Sequence, residues 1–366
     1  MIEIKLSRGT LSLTPAPASA WQWQDLLDFA ERINPKRAFL FVSKVLGRHI
    51  PVSPNQMCMA YTDLAQRIPD DLPQPLLVIG MAETAVGLGA GVHHILQQRY
   101  PDAVFISTTR HPVADAPLLA RFLEEHSHAQ DQLLYGSPDA VLQQHILNSK
   151  TVILVDDEAS TGKTFINLVA ALQQAELNQI SHVVTATLAD WSSGFQLDGL
   201  NCQTVSLLSG DWQWQDAANP PTIHMPKVDT VAHGTFPVLA PSNWGRLPTR
   251  GSQTSLTATA KIGERILVLG TGEYVWPPYL LAAQLEQQGA EVKFSAITRS
   301  PIALGHAIKH SLAFSDNYGL GIQNFVYNVD HTAYDRILIA IETATESVDP
   351  LLLQAFPNAE IITEAY

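Results

Sequence analysis

Val152-Ile153-Leu154-Val155, Asp156-Asp157-Glu158-Ala159 and Ser160-Thr161-Gly162-Lys163-Thr164 follow one another without a break, and the reading of this stretch decides the fold. Four consecutive β-formers predict a buried parallel strand. The apolar run Phe165 to Leu172 predicts a helix packed back on the same sheet. The loop between them then lies at the carboxyl end of a strand, where open α/β sheets bind ligands. A helix N-terminus with small residues and backbone N–H groups is a ready anion cradle. The stretch is therefore expected to hold a phosphate. A Walker A loop requires glycine at the first position of Gly-x-x-x-x-Gly-Lys-Ser/Thr, where the backbone wraps the phosphate, but Asp157 occupies it here. That carboxylate would face the polyphosphate, which argues against an ATPase or kinase. The plainer alternative is an acidic strand end that only caps the next helix.

A hydrophobic strand, an acidic pair, two spacers and a Ser/Thr-x-Gly-x-Ser/Thr turn resemble the signature of type I phosphoribosyltransferases. The resemblance implies an α/β fold with a parallel-sheet core and a substrate, 5-phosphoribosyl-1-pyrophosphate (PRPP), held at this loop. Ser160, Thr161, Gly162, Lys163 and Thr164 would bind its 5′-phosphate, although Lys163 departs from the small residue common at that place. Asp156 and Asp157 would lie beneath the ribose, take its hydroxyls and contact a sugar-bound Mg²⁺. They would also favour the positive charge that develops at C1 as pyrophosphate leaves, with no nucleophilic side chain required.

A second apolar strand, Leu76 to Ile79, ends in Gly80-Met81-Ala82-Glu83-Thr84-Ala85 before a segment carrying Gly87, Gly89 and Gly91. In the family resembled, the corresponding loop binds pyrophosphate through backbone amides, often with a strained or cis peptide. That role passes to Met81, Ala82, Glu83 and Thr84, against the alternative of a plain strand-to-helix turn. The strand Val104–Ile106 runs into Ser107-Thr108-Thr109-Arg110-His111-Pro112 and a polar stretch through His126 and His128 to Tyr135. Family members carry a mobile hood here, and Arg110 is the candidate to neutralise pyrophosphate, since a guanidinium fork suits phosphate oxygens. His126 and His128 are either acid–base groups or solvated loop residues.

The strand His182 to Leu188 ends in Asp190-Trp191, which would suit a planar acceptor, the alternative being a core tryptophan. Nearer the N-terminus, Asn34-Pro35-Lys36-Arg37 and Phe41 to His49, with Lys44 and Arg48, gather cations in an otherwise acidic chain. They are either contacts to anionic ligands, Lys44 among them as an acceptor contact, or plain surface.

With 366 residues, 46% of them hydrophobic and a formal charge of −13, the chain is large enough for two domains. The acidity argues against nucleic acid as a partner. Cys58 and Cys202 have no motif spacing and fit reduced thiols. Met1-Ile2-Glu3-Ile4-Lys5 is not a signal sequence, and the expectation is a cytoplasmic protein without a membrane role.

Residues 1–210 are assigned to the phosphoribosyltransferase-like domain with its N-terminal hood segment. Residues 211–262, rich in Pro, Ser and Trp, form an ordered connector, and 263–366 a smaller α/β domain. The smaller domain restarts with Arg265–Leu269 and Gly270-Thr271-Gly272-Glu273, a helix near Tyr279–Gln288, a strand Glu291–Ala296, Thr298-Arg299-Ser300-Pro301 and a last strand Arg336–Ile341. Gly80 and Glu83 correspond to Gly270 and Glu273, and Thr109, Arg110 and Pro112 to Thr298, Arg299 and Pro301. This order predicts a degenerate copy of the core, chance similarity being the alternative. The copy has no double acid followed by Thr-Gly-x-Thr and is not expected to bind PRPP in the usual way.

An orotate-phosphoribosyltransferase-like domain followed by a domain with Thr-Arg-Ser-Pro resembles proteins of bacterial tellurite- and stress-resistance operons. Their association is with a pathway for a nucleoside-like metabolite. The resemblance implies a Mg²⁺-dependent phosphoribosyltransferase that joins ribose 5-phosphate to an unidentified small acceptor, and a homodimer. The alternative is a regulator that senses PRPP or a nucleotide without turnover.

Overall fold

The computed structural model describes residues 1–123, 131–192, 194, 196–223, 234–239 and 244–364. The chain opens with an antiparallel pair, β1 (Ile2–Leu6) and β2 (Gly9–Pro15), and a single turn, α1 (Trp23–Leu26). A hairpin, β3 (Leu27–Glu31) with β4 (Phe39–Ser43), and the helix α2 (Pro54–Arg67) complete this arm. The first lobe runs β5 (Leu76–Gly80), α3 (Val86–Leu96), β6 (Val104–Ser107), β7 (Leu118–Leu123), β8 (Asp131–Tyr135) and α4 (Ala140–Leu147). It closes with β9 (Thr151–Ala159), α5 (Lys163–Gln174), β10 (His182–Asp190) and β11 (Asn201–Asp216). The second lobe contains β12 (Arg265–Gly270), α6 (Trp276–Gln287), β13 (Glu291–Ala296), β14 (Ser311–Ser315) and β15 (Gln323–Tyr327). Its last elements are β16 (Arg336–Ile341), α7 (Pro350–Ala355) and β17 (Ala359–Thr363).

The first sheet is seven-stranded in the order β1-β2-β11-β10-β9-β5-β6, and its middle is parallel because covered faces suit continuous apolar strands. Every residue of β5 is buried, as are Thr151–Val155 of β9. This is the mixed α/β architecture with a parallel-rich central sheet expected from the sequence, joined to a smaller α/β unit.

Three elements differ from the sequence reading. The polar stretch before Tyr135 is partly a hairpin, because β7 and β8 pair across it. The connector begins as strand, since Gly210–Asp216 of β11 pair antiparallel with β2. Arg336–Ile341 is not the last strand. β17 follows it as a short edge strand that is only half-buried and so lacks a strong apolar signal.

The two lobes repeat one topology. The sheet order β6-β5-β9-β10 recurs as β13-β12-β16-β17, parallel throughout, and an antiparallel hairpin follows the edge strand in each. The equivalences reach single residues. Thr109 exchanges backbone hydrogen bonds with Leu133, and Thr298 does the same with Phe325. Thr108 N donates to Gly80 O at 2.9 Å and Ile297 N to Gly270 O at 2.9 Å.

Each copy is preceded by a Gly-Arg arm that pairs with the edge strand of the other copy. Gly47-Arg48-His49-Ile50-Pro51-Val52 runs along β13, where Ala296 N donates to Gly47 O at 2.8 Å and Phe294 N to Val52 O at 2.7 Å. Gly245-Arg246-Leu247-Pro248-Thr249 runs along β6, where Ser107 N donates to Gly245 O at 2.6 Å and Phe105 N to Thr249 O at 2.8 Å. Gly47 and Gly245 turn with φ of 68° and 80°, which favours glycine.

The helices α2, α3 and α6 pack at the junction of the lobes. A Cβ at Gly91 would sit 2.2 Å from the Tyr61 ring, so glycine is what lets α3 approach α2 so closely. Stacked rings of Phe105, Trp244, Trp276 and Tyr279 continue the contact, and one apolar core runs through both lobes.

Candidate functional site

A cleft of about 140 Å³ opens where the carboxyl ends of β5 and β9 meet the β3–β4 hairpin and the Thr298–Ser300 loop of the second lobe. Asp156 and Asp157 lie near the end of β9 and line it, half-buried. Beyond them the chain turns through Ser160 and Thr161 into Gly162, whose φ of 71° is left-handed and which caps α5. α5 is fixed by its buried face, Phe165, Leu168, Val169 and Leu172, so its N-terminus is held toward the cleft. Ser160, Thr161, Gly162 and Thr164 line the space, whereas Lys163 is exposed and outside the lining.

Met81, Ala82, Glu83 and Thr84 line the same cleft. Met81 N donates to Val155 O at 2.9 Å and Ala82 N to Thr108 Oγ1 at 2.8 Å, which tie this loop to β9 and to the end of β6. The Ala82–Glu83 peptide is cis. The two sequence-predicted loops and the acidic pair are thus brought into one cleft.

The charges are layered. Burial pushes the Asp157 carboxyl above its ordinary pKa, a shift reinforced by Glu158 and opposed by Asp156 and Arg32. Burial would also raise Glu83, but the guanidinium groups of Arg48, Arg299 and Arg110 outweigh it and hold Glu83 below the usual carboxylate range. Those arginines stand at 3.3, 3.4 and 3.7 Å from its carboxylate. Arg48 is itself fixed by Gly272 O at 2.7 Å and Ile297 O at 2.9 Å, carbonyls of the second lobe. On the other rim, Arg37 Nη2 donates to Glu158 Oε1 at 2.8 Å and its guanidinium lies 4.5 Å from the Phe39 ring centroid. His49 also faces the cleft and is held neutral, with burial and then Arg48 pushing its pKa down to about 3.

Arg110 lies three residues beyond the end of β6 and is buried beside Glu83 rather than carried on the hairpin. Its backbone N–H donates to Glu273 Oε1 at 2.9 Å, and Thr109 Oγ1 donates to Glu273 Oε2 at 2.5 Å. The equivalent glutamates therefore each reach across the junction, Glu83 to Arg299 and Glu273 to the Thr109–Arg110 pair.

The acceptor candidates are not part of this cleft. Asp190 accepts from Ser192 N and Oγ at 2.8 and 2.7 Å in a local turn. Trp191 stacks on Phe41, 5.0 Å between centroids, inside the core. Lys44 Nζ donates to Gln24 O at 2.6 Å. His126 and His128 lie outside the described residues.

Arg32, His49, Arg299 and Ser300 also line the cleft without having been singled out in the sequence. His49 ends the cation-rich N-terminal span and Arg32 lies two residues before it, while nothing local to Thr298-Arg299-Ser300 indicates that it enters the other lobe's site. Among the described residues no cluster of three or more His, Cys, Asp or Glu side chains is arranged for a metal. Asp156 and Asp157 nonetheless fit Mg²⁺, which commonly takes one or two carboxylates together with substrate phosphates and water.

Two family models match the chain. One, described as phosphoribosyl transferase, matches residues 26–210, and the other, described as the TRSP domain C-terminal to it, matches 248–356. Among solved structures, adenine phosphoribosyl transferase from Trypanosoma brucei, in complex with AMP, pyrophosphate and ribose 5-phosphate, is 14% identical. The match covers 50% of this chain and 77% of that one, with a TM-score of 0.35. Orotate phosphoribosyltransferase from Francisella tularensis is 17% identical over 50% of this chain and 80% of that one, with a TM-score of 0.28. A hypothetical protein from Neisseria gonorrhoeae with bound ppGpp is 15% identical over 44% and 85%, with a TM-score of 0.25. No curated protein matches the chain.

Proposed function

The chain belongs to the phosphoribosyl transferase family and carries its TRSP C-terminal domain, and from that membership we propose a type I enzyme, orotate-phosphoribosyltransferase-like in its first domain, that transfers ribose 5-phosphate from PRPP to a small acceptor and releases pyrophosphate. The observation that carries the reading is the convergence of Asp156-Asp157, the Ser160–Thr164 turn and the Met81–Thr84 loop on one cleft. The turn takes the 5′-phosphate on backbone N–H groups and hydroxyls at the N-terminus of α5. The Met81–Thr84 loop takes pyrophosphate. Asp156 and Asp157 line the same cleft, and in this reading they take the ribose hydroxyls and favour the positive charge that develops at C1. Bound Mg²⁺ would neutralise pyrophosphate charge, with these two aspartates on its sugar side.

The acceptor is a base-like or other small nucleophile, in keeping with a nucleoside-like metabolite of a tellurite- or stress-resistance pathway. A cytoplasmic homodimer fits the same reading, and among the described residues no helix is long and apolar enough to cross a membrane. Incubation of the protein with PRPP, Mg²⁺ and a panel of bases and small amines, with pyrophosphate release as readout, tests it. Release with one acceptor class supports the enzyme. PRPP binding without release across the panel favours a sensor, and absence of PRPP binding removes both.

A further inference from the structure

The second lobe repeats the first strand for strand, yet its own equivalent of the cleft is closed. Register places Glu342 where Asp157 stands, because Gly80 pairs with Val155 as Gly270 would pair with Ala340. Glu342 is 1% exposed and is gripped by Arg246 and by the Tyr318 hydroxyl at 2.7 Å. After it comes Thr343-Ala344-Thr345-Glu346-Ser347, with no glycine turn, and a helix of only six residues. The copy has kept the architecture and lost the anion cradle.

What the second lobe retains is its loop Thr298-Arg299-Ser300, which lines the cleft of the first lobe. Arg299 Nε is 3.4 Å from Glu83 Oε2, so its guanidinium is pinned beside the Met81–Thr84 loop. The exchange of arms along β6 and β13, and the crossed pairs of Glu83 and Glu273, give the two lobes the relation of two subunits about a pseudo-dyad.

Resting on the PRPP reading above, we infer that the second lobe is a fused pseudo-subunit whose Arg299 and Ser300 bind the pyrophosphate end of PRPP in the first lobe's cleft. The Arg299 guanidinium, held by Glu83 and with Nη2 3.4 Å from His111 Nε2, lines the cleft, and a planar guanidinium is the side-chain group whose geometry matches phosphate oxygens. Ser300 adds a hydroxyl and is held in turn geometry by its N–H, which donates to Thr298 Oγ1 at 3.1 Å.

The test is calorimetric titration of the full chain with inorganic pyrophosphate and, separately, with ribose 5-phosphate, each with Mg²⁺. Arg299→Ala and Ser300→Asp are expected to weaken pyrophosphate at least tenfold and to leave ribose 5-phosphate within twofold. Thr161→Ala is expected to do the reverse. Ser300 is half-buried and not ion-paired, so Ser300→Asp decides the matter even where Arg299→Ala fails to fold. Pyrophosphate affinity within twofold of the parent protein in Ser300→Asp, or equal loss of both ligands, overturns the inference while the PRPP reading stands. A parent protein that binds neither ligand overturns the PRPP reading itself, and this inference with it.

Discussion

Arg246 grips Glu342 with both terminal nitrogens, at 2.8 and 2.7 Å, while its Nε reaches Glu273 at 3.0 Å. All three side chains are buried, and two carboxylates share one guanidinium in a medium that screens poorly. Arg246→Ala leaves both acids in place without their common partner. The expected loss is about 3–5 kcal/mol of folding stability, read as a lower urea midpoint at unchanged m-value. A midpoint that does not move would mean that Glu342 and Glu273 find other compensation.

Asp156→Asn combined with Asp157→Asn keeps side-chain volume and removes the charge beneath the ribose. Pyrophosphate release should fall on the order of 10²-fold or more. The fold should survive. Because burial raises the Asp157 pKa above its unfolded value, the ionised carboxylate disfavours the folded state as pH rises through that window, and asparagine lifts this cost. A thermal melt at pH 7.5 should show a midpoint equal to or above the parent's.

Thr161→Ala removes one hydroxyl from the phosphate turn. A hydrogen bond to a charged group is worth about 1.5–3 kcal/mol, which corresponds to roughly 10- to 100-fold weaker ribose 5-phosphate binding. Lys163→Ala should have far less effect, since that side chain is exposed and lies outside the cleft.

Acid should destabilise the protein in a window set by its buried histidines. Burial pushes His49 down to about 3 and His93 down to about 4, against 6.5 in the unfolded chain. The unfolded state therefore binds protons first. Their contribution is complete above pH 6.5 and is lost as pH falls toward 4 and 3, with a slope of about 1.4 kcal/mol per pH unit for each histidine. Denaturant midpoints measured between pH 7 and 4 should fall accordingly, and His93→Gln should flatten the curve.

Gly47→Ala and Gly245→Ala compare the two arms. Both positions are left-handed, which costs a non-glycine residue about 1–2 kcal/mol. At Gly47 the added Cβ would also lie 2.7 Å from the Phe294 ring and 2.9 Å from its carbonyl oxygen. At Gly245 the nearest atom, on the Phe105 ring, is 3.3 Å away. Gly47→Ala should thus be the more destabilising of the pair in chemical denaturation.

Much of this was legible in the sequence because strand and loop chemistry are local. The apolar runs at 76–79, 152–155 and 265–269 gave strands, and the glycine and acidic residues after them marked the ligand edge. The helix α6 starts at Trp276, before Pro277 and Pro278, which sit in its first turn, where a missing N–H costs nothing. Long-range facts were invisible. Nothing near Arg299 indicates that it lines the cleft of the other lobe, and nothing near Arg246 indicates two acids some 27 and 96 positions away. The matching arms Gly47-Arg48 and Gly245-Arg246 share only that dipeptide, with the following proline one residue earlier in the second, too little for a sequence signal. Asp190 and Trp191 looked like ligand groups by position, yet one closes its own turn and the other packs on Phe41.

The reciprocal pairing of the arms has a consequence for any attempt to divide the chain. A cut within 217–243 removes from β6 the strip 245–249 that shields it, and removes from 47–52 the strand β13 on which it lies. Each half would then carry a bare row of backbone donors and acceptors, an invitation to stick to its own kind. Truncated versions should therefore aggregate or co-purify with the missing half, and the two fragments produced together should reassemble through those same strips.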